Sequence, residues 1–201
     1  MSARNDSPRL LDLFSGRWGW SREFAARGWK CYGIDWQRPA VVPEGCEFIL
    51  ADVRDLSWPY SFLSEDIRPD FIVASSPCEE FTVWGMKNFH PKPPYPEMGI
   101  ALFTHTRLLC HQSGLPYLME NVRAAQQFVG NAVAHAGSFY LWGTAVPALL
   151  PRGLTKGFTR AGGRYRAHEN RSITPAEAAT IPPALANCVA QYAERLIEVP
   201  A

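Results

Sequence analysis

The chain has 201 residues and a mass of 22.5 kDa, and 47% of it is hydrophobic. That is enough to fill one core, so a single domain over residues 1–201 is expected. Net charge is +1, from 20 basic and 19 acidic residues, which excludes a global basic field as the signature of nucleic-acid binding and leaves only local signals. The opening MSARNDSPRL has no apolar signal core, and nowhere do roughly eighteen apolar residues run together. Secretion and membrane spanning are therefore not expected, and the chain is placed in the cytoplasm. Five cysteines without a CxxC spacing fit reduced thiols rather than a disulfide framework, and they give no metal site.

Apolar runs alternate with helical patterns, which predicts an α/β fold with a mostly parallel, doubly wound sheet. The first strand, Arg9 to Phe14, enters DLFSGRWGW, a Ser-Gly turn followed by a helix from Trp20 to Arg27 with Gly28 as its C-cap. Strands follow at Lys30 to Ile34, Glu47 to Ala51 and Asp70 to Ser75. Met86 to Pro96, MKNFHPKPPYP, is too proline-rich for a helix and long enough to predict a functional loop. A helix from Ile100 to Gln112, a strand from Pro116 to Met119, a helix from Ala124 to Val129 and a strand from Phe139 to Trp142 continue the alternation.

Pro151 to Ser172 then concentrates Arg152, Lys156, Arg160, Arg164, Arg166 and Arg171 against the single acid Glu169, which leaves 14 bases and 18 acids for the rest of the chain. This glycine-rich basic loop reads either as a phosphate-contacting segment or as a solvated surface. A last helix is predicted over Pro183 to Glu198.

Three predicted strand ends point to one nucleotide-like ligand. The turn Phe14, Ser15, Gly16 and the nearby Gly19 aim backbone N–H groups over the first strand's carboxyl end. About twenty residues on, KCYGIDW ends in Asp35, which can accept from ribose hydroxyls, with Trp36 beside it as a flat surface for adenine. The third strand ends in ADV, placing Asp52 to accept from an adenine amino group. Both NAD and S-adenosylmethionine satisfy this pattern. NAD needs room for a pyrophosphate, which the middle glycine of GxGxxG supplies; here Trp18 fills the turn in Gly16-Arg17-Trp18-Gly19, which favours S-adenosylmethionine.

The fourth strand leads to SSPCEEFT, with Pro77 and Cys78 facing the same crevice, and the fifth to LMENV, with Glu120 and Asn121. A thiol there serves as a nucleophile when a nearby positive charge lowers its pKa, and otherwise is an inert buried cysteine. A carboxyl beside it can bind or protonate a ring nitrogen.

In their order and spacing, DLFSG, GIDW, ADV, SPCEEFT and MENV resemble the cytosine-5 DNA methyltransferases. RSITPAEAATIPPALANCVAQYAE resembles that family's closing motifs. The resemblance implies a Rossmann-like methyltransferase domain using S-adenosylmethionine, in which Cys78 attacks C6 of a flipped-out or single-stranded cytosine and Glu120 holds N3 and the exocyclic amine. It further implies Phe14 stacking on adenine, Asp35 on ribose, Trp36, Val53 and Pro77 around the ring, Asp52 on the amino group, and Asn187 and Val189 in the helix that covers the cofactor.

The chain departs from the family in four places. Trp18 replaces a glycine and is expected to narrow the methionine end of the cofactor pocket. Glu79 replaces a glutamine, and Glu80 adds a second acid to a loop expected near a phosphate backbone. Arg164 and Arg166 are the candidates for the contact to the base's O2, with His135 as rival. Only the basic loop Pro151 to Ser172 stands in place of the family's separate target-recognition domain, so sequence recognition is expected to be relaxed, unnecessary, or delegated to a partner or oligomer. Small enzymes of this pattern are expected in phage or prophage genomes. Three other readings stand beside the DNA enzyme: the same chemistry on RNA or a free pyrimidine nucleotide, a non-catalytic homologue that binds cofactor or DNA, and an NAD enzyme.

Overall fold

The computed structural model describes residues 7–56, 68–82, 95–154, 159–161, 164–166 and 180–198. Seven strands form one sheet: β1 (Arg9–Leu13), β2 (Lys30–Asp35), β3 (Cys46–Leu50), β4 (Phe71–Ala74), β5 (Tyr117–Asn121), β6 (Ala134–Ala136) and β7 (Phe139–Gly143). Their order is β3-β2-β1-β4-β5-β7-β6. The strands from β1 to β5 are mutually parallel, and β7 runs antiparallel to both β5 and β6. Among the described residues the α-helices are α1 (Ser21–Ala25), α2 (Glu97–Gln112), α3 (Gln126–Val129) and α4 (Pro183–Glu198). This is the doubly wound, Rossmann-like architecture that the alternation predicts.

The central strands read as continuous apolar runs because both of their faces are covered. In β1, Leu10 packs under α1 and α4 with Phe24, Leu185 and Val189, whereas Leu11 and Leu13 point to the other layer, with Phe103 and Leu109 of α2. All four residues of β4 are fully buried. At roughly 1.5–3 kcal/mol for each large apolar side chain taken out of water, as an upper bound, Phe71, Ile72 and Val73 make β4 a main anchor of the sheet. The apolar face of α4, Leu185, Ala186, Val189, Ala190 and Ala193, recurs at helical spacing.

Most predicted boundaries agree within two or three residues. The helix predicted from Trp20 to Arg27 is shorter, and α2 begins three residues before Ile100. The strand β6 was not predicted, since AHA is too short to show a period. The predicted basic loop contains a small hairpin, β8 (Thr159–Ala161) with β9 (Arg164–Arg166), paired antiparallel. Lys156, Arg171 and most of Met86 to Pro96 lie outside the described residues. Among the described residues no helix is long and apolar enough to cross a membrane.

Candidate active site

Strand order reverses between β1 and β4, because the chain leaves β1 toward β2 on one side and returns to β4 on the other. Loops leaving such a point diverge and open a crevice at the carboxyl ends of the strands. Two adjoining cavities lie there, of ≈ 490 Å³ and ≈ 200 Å³, with Phe14, Trp36, Pro77 and Glu79 lining both. The larger adds Asp52, Val53, Arg54, Glu80 and Leu102. The smaller adds Ser15, Gly16, Gly19, Asp35, Cys78 and Glu120.

The loop after β1 is held in an unusual backbone shape. Phe14 and Trp18 have φ of 64° and 62°, a left-handed conformation that side chains rarely adopt, and Gly16 lies between them at 46°. Asp35, at the end of β2, secures this shape: its Oδ2 accepts from the Gly16 backbone N–H at 3.0 Å, and its Oδ1 accepts from that of Gln37 at 3.0 Å. Beneath the loop, Asp12 is 1% exposed and its Oδ2 accepts from the Ser21 hydroxyl at 2.6 Å. Burial pushes the Asp12 carboxyl up to about 7, against the opposing hydrogen bonds from Ser21.

Asp52 caps a short 3₁₀ turn, Val53–Asp55, accepting from the Arg54 N–H at 2.9 Å, while the Arg54 guanidinium forks onto both carboxylate oxygens. That hydrogen-bonded pairing holds the Asp52 carboxyl below its ordinary range. His105 of α2 fixes the turn from behind, with its Nε2 3.0 Å from the Val53 carbonyl.

The loop after β4 is held by polar contacts. Asn121, fully buried, donates through Nδ2 to the Ser76 carbonyl at 3.0 Å and to its hydroxyl at 3.1 Å, and its Oδ1 accepts from the Val122 N–H at 2.8 Å. The loop is thereby fastened to the strand that carries Glu120, which is 3% exposed. Cys78 precedes a 3₁₀ turn, Glu79–Phe81, anchored by the fully buried Phe81. Glu80 Oε2 accepts from the Gly99 N–H at 2.7 Å, in the first turn of α2, and so caps from a distance a helix whose own N-cap residue, Pro96, makes no capping bond. Together these elements bring a thiol, a buried carboxyl and two strand-end aspartates to one crevice.

No family model matches the chain, and no curated protein matches it. Among solved structures, a DNMT2 variant from Spodoptera frugiperda is similar at 19% identity, over 60% of this chain and 37% of that one, with a TM-score of 0.38. The antibiotic-resistance methyltransferase Kmr is similar at 13% identity, over 60% of this chain and 61% of that one, with a TM-score of 0.32. The chain spans less than two thirds of either protein, and both likenesses are too distant to carry residue roles across.

The structure brings Phe14, Ser15, Gly16, Gly19, Asp35, Trp36, Asp52, Val53, Pro77, Cys78 and Glu120 to the two cavities. It does not bring Trp18 there. The indole turns away, is 1% exposed, donates from Nε1 to the Val41 carbonyl at 3.1 Å and lies over Gly33, where an added Cβ would stand 2.3 Å from its Cζ3. The bulky residue is accommodated because β2 carries a glycine beneath it, so the expected narrowing of the pocket by Trp18 is corrected. Asn187 and Val189 are also absent from the cavities. Val189 is fully buried in the core, and Asn187 Oδ1 accepts from Arg27, which also forks onto Glu194.

The segment that closes over the loop comes a few residues earlier. Thr180 and Ile181 line the smaller cavity, and a Cβ on Gly19 would meet the Ile181 N at 2.9 Å. Sequence reasoning missed these two, as well as Trp20, whose Nε1 donates to the Ser75 hydroxyl at 3.0 Å. Its position beside the glycine turn was the available signal. His135 stacks on Tyr140 with ring centroids 4.9 Å apart and lines neither cavity. Of the basic segment, Arg152 is exposed, and Arg160, Arg164 and Arg166 stand on the hairpin backbone.

Proposed function

We propose that the chain is an S-adenosylmethionine-dependent methyltransferase that modifies C5 of cytosine in DNA. The observation that carries this reading is the meeting of Cys78 and Glu120 with Asp35 and Asp52 in one crevice at the point where strand order reverses. The residues fit the cofactor. The Ser15 hydroxyl is buried and has no hydrogen-bond partner among the described residues, and Asp35 keeps lone pairs beyond its two backbone bonds for ribose hydroxyls. Phe14, Trp36, Val53, Pro77 and Leu102 give the ≈ 490 Å³ cavity an apolar lining of a size suited to a small-molecule ligand. Asp52 would share its oxygens between Arg54 and the adenine amino group.

When bound, the cofactor supplies the methyl group that C5 accepts. Glu120 binds N3 and the exocyclic amine and draws electron density toward N3, so that the Cys78 sulfur adds to C6 and the resulting enamine makes C5 nucleophilic. Solvent water takes the C5 proton, the electrons of that C–H bond re-form the C5–C6 double bond, and the C6–S bond breaks to release the thiolate. Cytosine inside a duplex is out of reach, so the substrate base is flipped out or unpaired. Arg164 and Arg166 are assigned to the base, since His135 is engaged with Tyr140. Arg152, Lys156, Arg160 and Arg171 are assigned to phosphates, and sequence recognition falls to a partner or a second copy. A second reading, the same chemistry on RNA or a free pyrimidine nucleotide, is favoured by the exposed acid Glu79 on the wall common to both cavities.

The test is incubation with methyl-labelled cofactor and mixed-sequence DNA, RNA or cytidine nucleotides in parallel, with 5-methylcytosine read by nucleoside mass spectrometry. Product in DNA that disappears in Cys78→Ala supports the proposal. Product confined to RNA or nucleotides moves the reading to the second substrate class. No product with any of them, and no covalent complex with 5-fluorocytosine DNA, overturns it in favour of a binding protein.

A further inference from the structure

A third cavity, ≈ 940 Å³, lies away from this crevice, around the amino ends of β1, β2 and β3, with Arg22, Trp29, Gly45 and Cys46 in its wall. Cys31 of β2 and Cys46 of β3 are direct partners in the parallel ladder. Neighbouring strands stand about 4.8 Å apart, within the span of Cα separations that a disulfide bridges, about 4.4–6.8 Å. Both side chains belong to the same core layer, Cys31 fully buried in it and Cys46 packed against it, half-buried and facing the cavity.

The pairing with Cys46 across the ladder, together with burial, pushes the Cys31 thiol up. The proximity of Cys31, helped by Arg22, draws the Cys46 thiol down against the effects of burial and of Asp12. Cys31 also lies 3.5 Å from the Ser21 carbonyl and 3.8 Å from that of Trp29, so it is held at the bottom of the pair while Cys46 occupies the accessible position. An accessible thiol near a cation, with a second thiol directly across from it on the neighbouring strand, is the arrangement of peroxide-reactive cysteines with a resolving partner.

We propose that Cys46 is a hydroperoxide-reactive thiol and Cys31 its resolving partner, the two closing to a disulfide between β2 and β3. The Cys46 thiolate attacks one peroxide oxygen, the O–O bond breaks, and Cys46 becomes a sulfenic acid as the other oxygen leaves and is protonated to water. The Cys31 sulfur then attacks the Cys46 sulfur. The S–S bond forms, the S–O bond breaks, and hydroxide leaves with the Cys31 proton as a second water. The thiols give up two electrons and hydrogen peroxide is reduced to two waters. The resulting bond would tie together the strands that lead to Asp35 and Asp52 and would leave Cys78 untouched.

The experiment treats the folded full chain with stoichiometric hydrogen peroxide, blocks remaining thiols with an alkylating agent, and maps peptides by mass spectrometry. The expected result is a Cys31–Cys46 linked peptide that dithiothreitol reverses, with Cys46 consumed at least about ten-fold faster than Cys188, as a more thiolate-rich cysteine should be. In Cys31→Ser, Cys46 should stop at the sulfenic acid and be trapped by dimedone. Competitive alkylation of the unmutated chain needs no variant: there Cys46 should again lead Cys188. The proposal is overturned if Cys46 remains fully alkylatable after peroxide, or if it reacts no faster than Cys188 in both assays.

Discussion

The two loops that wall the crevice are held by opposite means. The loop after β1 is fixed by backbone shape and aromatic packing: left-handed Phe14 and Trp18, an indole seated on Gly33, and the Asp35 carboxylate on the Gly16 N–H. The loop after β4 is fixed by polar side chains reaching in from elsewhere, Asn121 onto Ser76 and Glu80 onto the first turn of α2. Two of the sequence's departures are thereby explained. Trp18 and Glu80 are anchors of their loops; Trp18 stays clear of the crevice, while Glu80 lines the larger cavity with its carboxylate tied to Gly99.

The largest expected effect separates the loops by pH. The folded Asp12 carboxyl lies near 7, above its unfolded value of 3.8. Its protonated form therefore favours the folded state, fully below the unfolded pKa, and that contribution is lost as pH rises toward 7. About 4 kcal/mol is the upper limit for this change. Asp12→Asn should flatten stability between pH 4 and 7, measured by urea unfolding at several pH values. An unchanged profile would mean that the carboxyl under the first loop does not titrate there.

Trp18→Gly should destabilise the chain by about 3 kcal/mol, since losing a buried indole costs about 3–5 and relieving a strained non-glycine φ returns about 1. Thermal melting checks this, and an equal or higher Tm would show that the ring is no anchor. Gly33→Ala, which forces a methyl into that ring, should cost about 1–3 kcal/mol in the same assay.

For the second loop, Asn121→Ala removes two hydrogen bonds to Ser76 from a buried site and should cost about 2 kcal/mol. Proteolysis should then cut the Ser75–Thr82 stretch sooner while sparing Phe14–Trp20; equal protection of both would break the comparison. The smallest effect belongs to Glu80. Glu80→Ala should lose about 1 kcal/mol, the worth of a helix cap, whereas Glu80→Gln keeps an acceptor for the Gly99 N–H and should lose about half of that. Equal losses in the two variants would place its role in its charge alone.

Much of the crevice was legible in the sequence because parallel strands are written as short apolar runs, and the residue after each run lands at the same edge of the sheet. Phe14, Asp35, Asp52, Cys78 and Glu120 were found in this way, and all five line the cavities. Val189 and Asn187 were misplaced for the converse reason. A helix buries whichever face the core takes: in α4 that face takes Val189, while Asn187 falls on the flank beside Arg27.

The alternation of periods, the strand ends and the concentration of charge in one segment were determined by the sequence itself, since each depends on neighbours along the chain. Long-range pairing was decided only by the tertiary structure. That Trp18 finds a glycine fifteen positions on, that Glu80 caps a helix starting at Glu97, and that Cys31 meets Cys46 all depend on strand register and packing. The physical reason is that a side chain's partner is set by which backbones lie side by side, and no local pattern of residues encodes that distance.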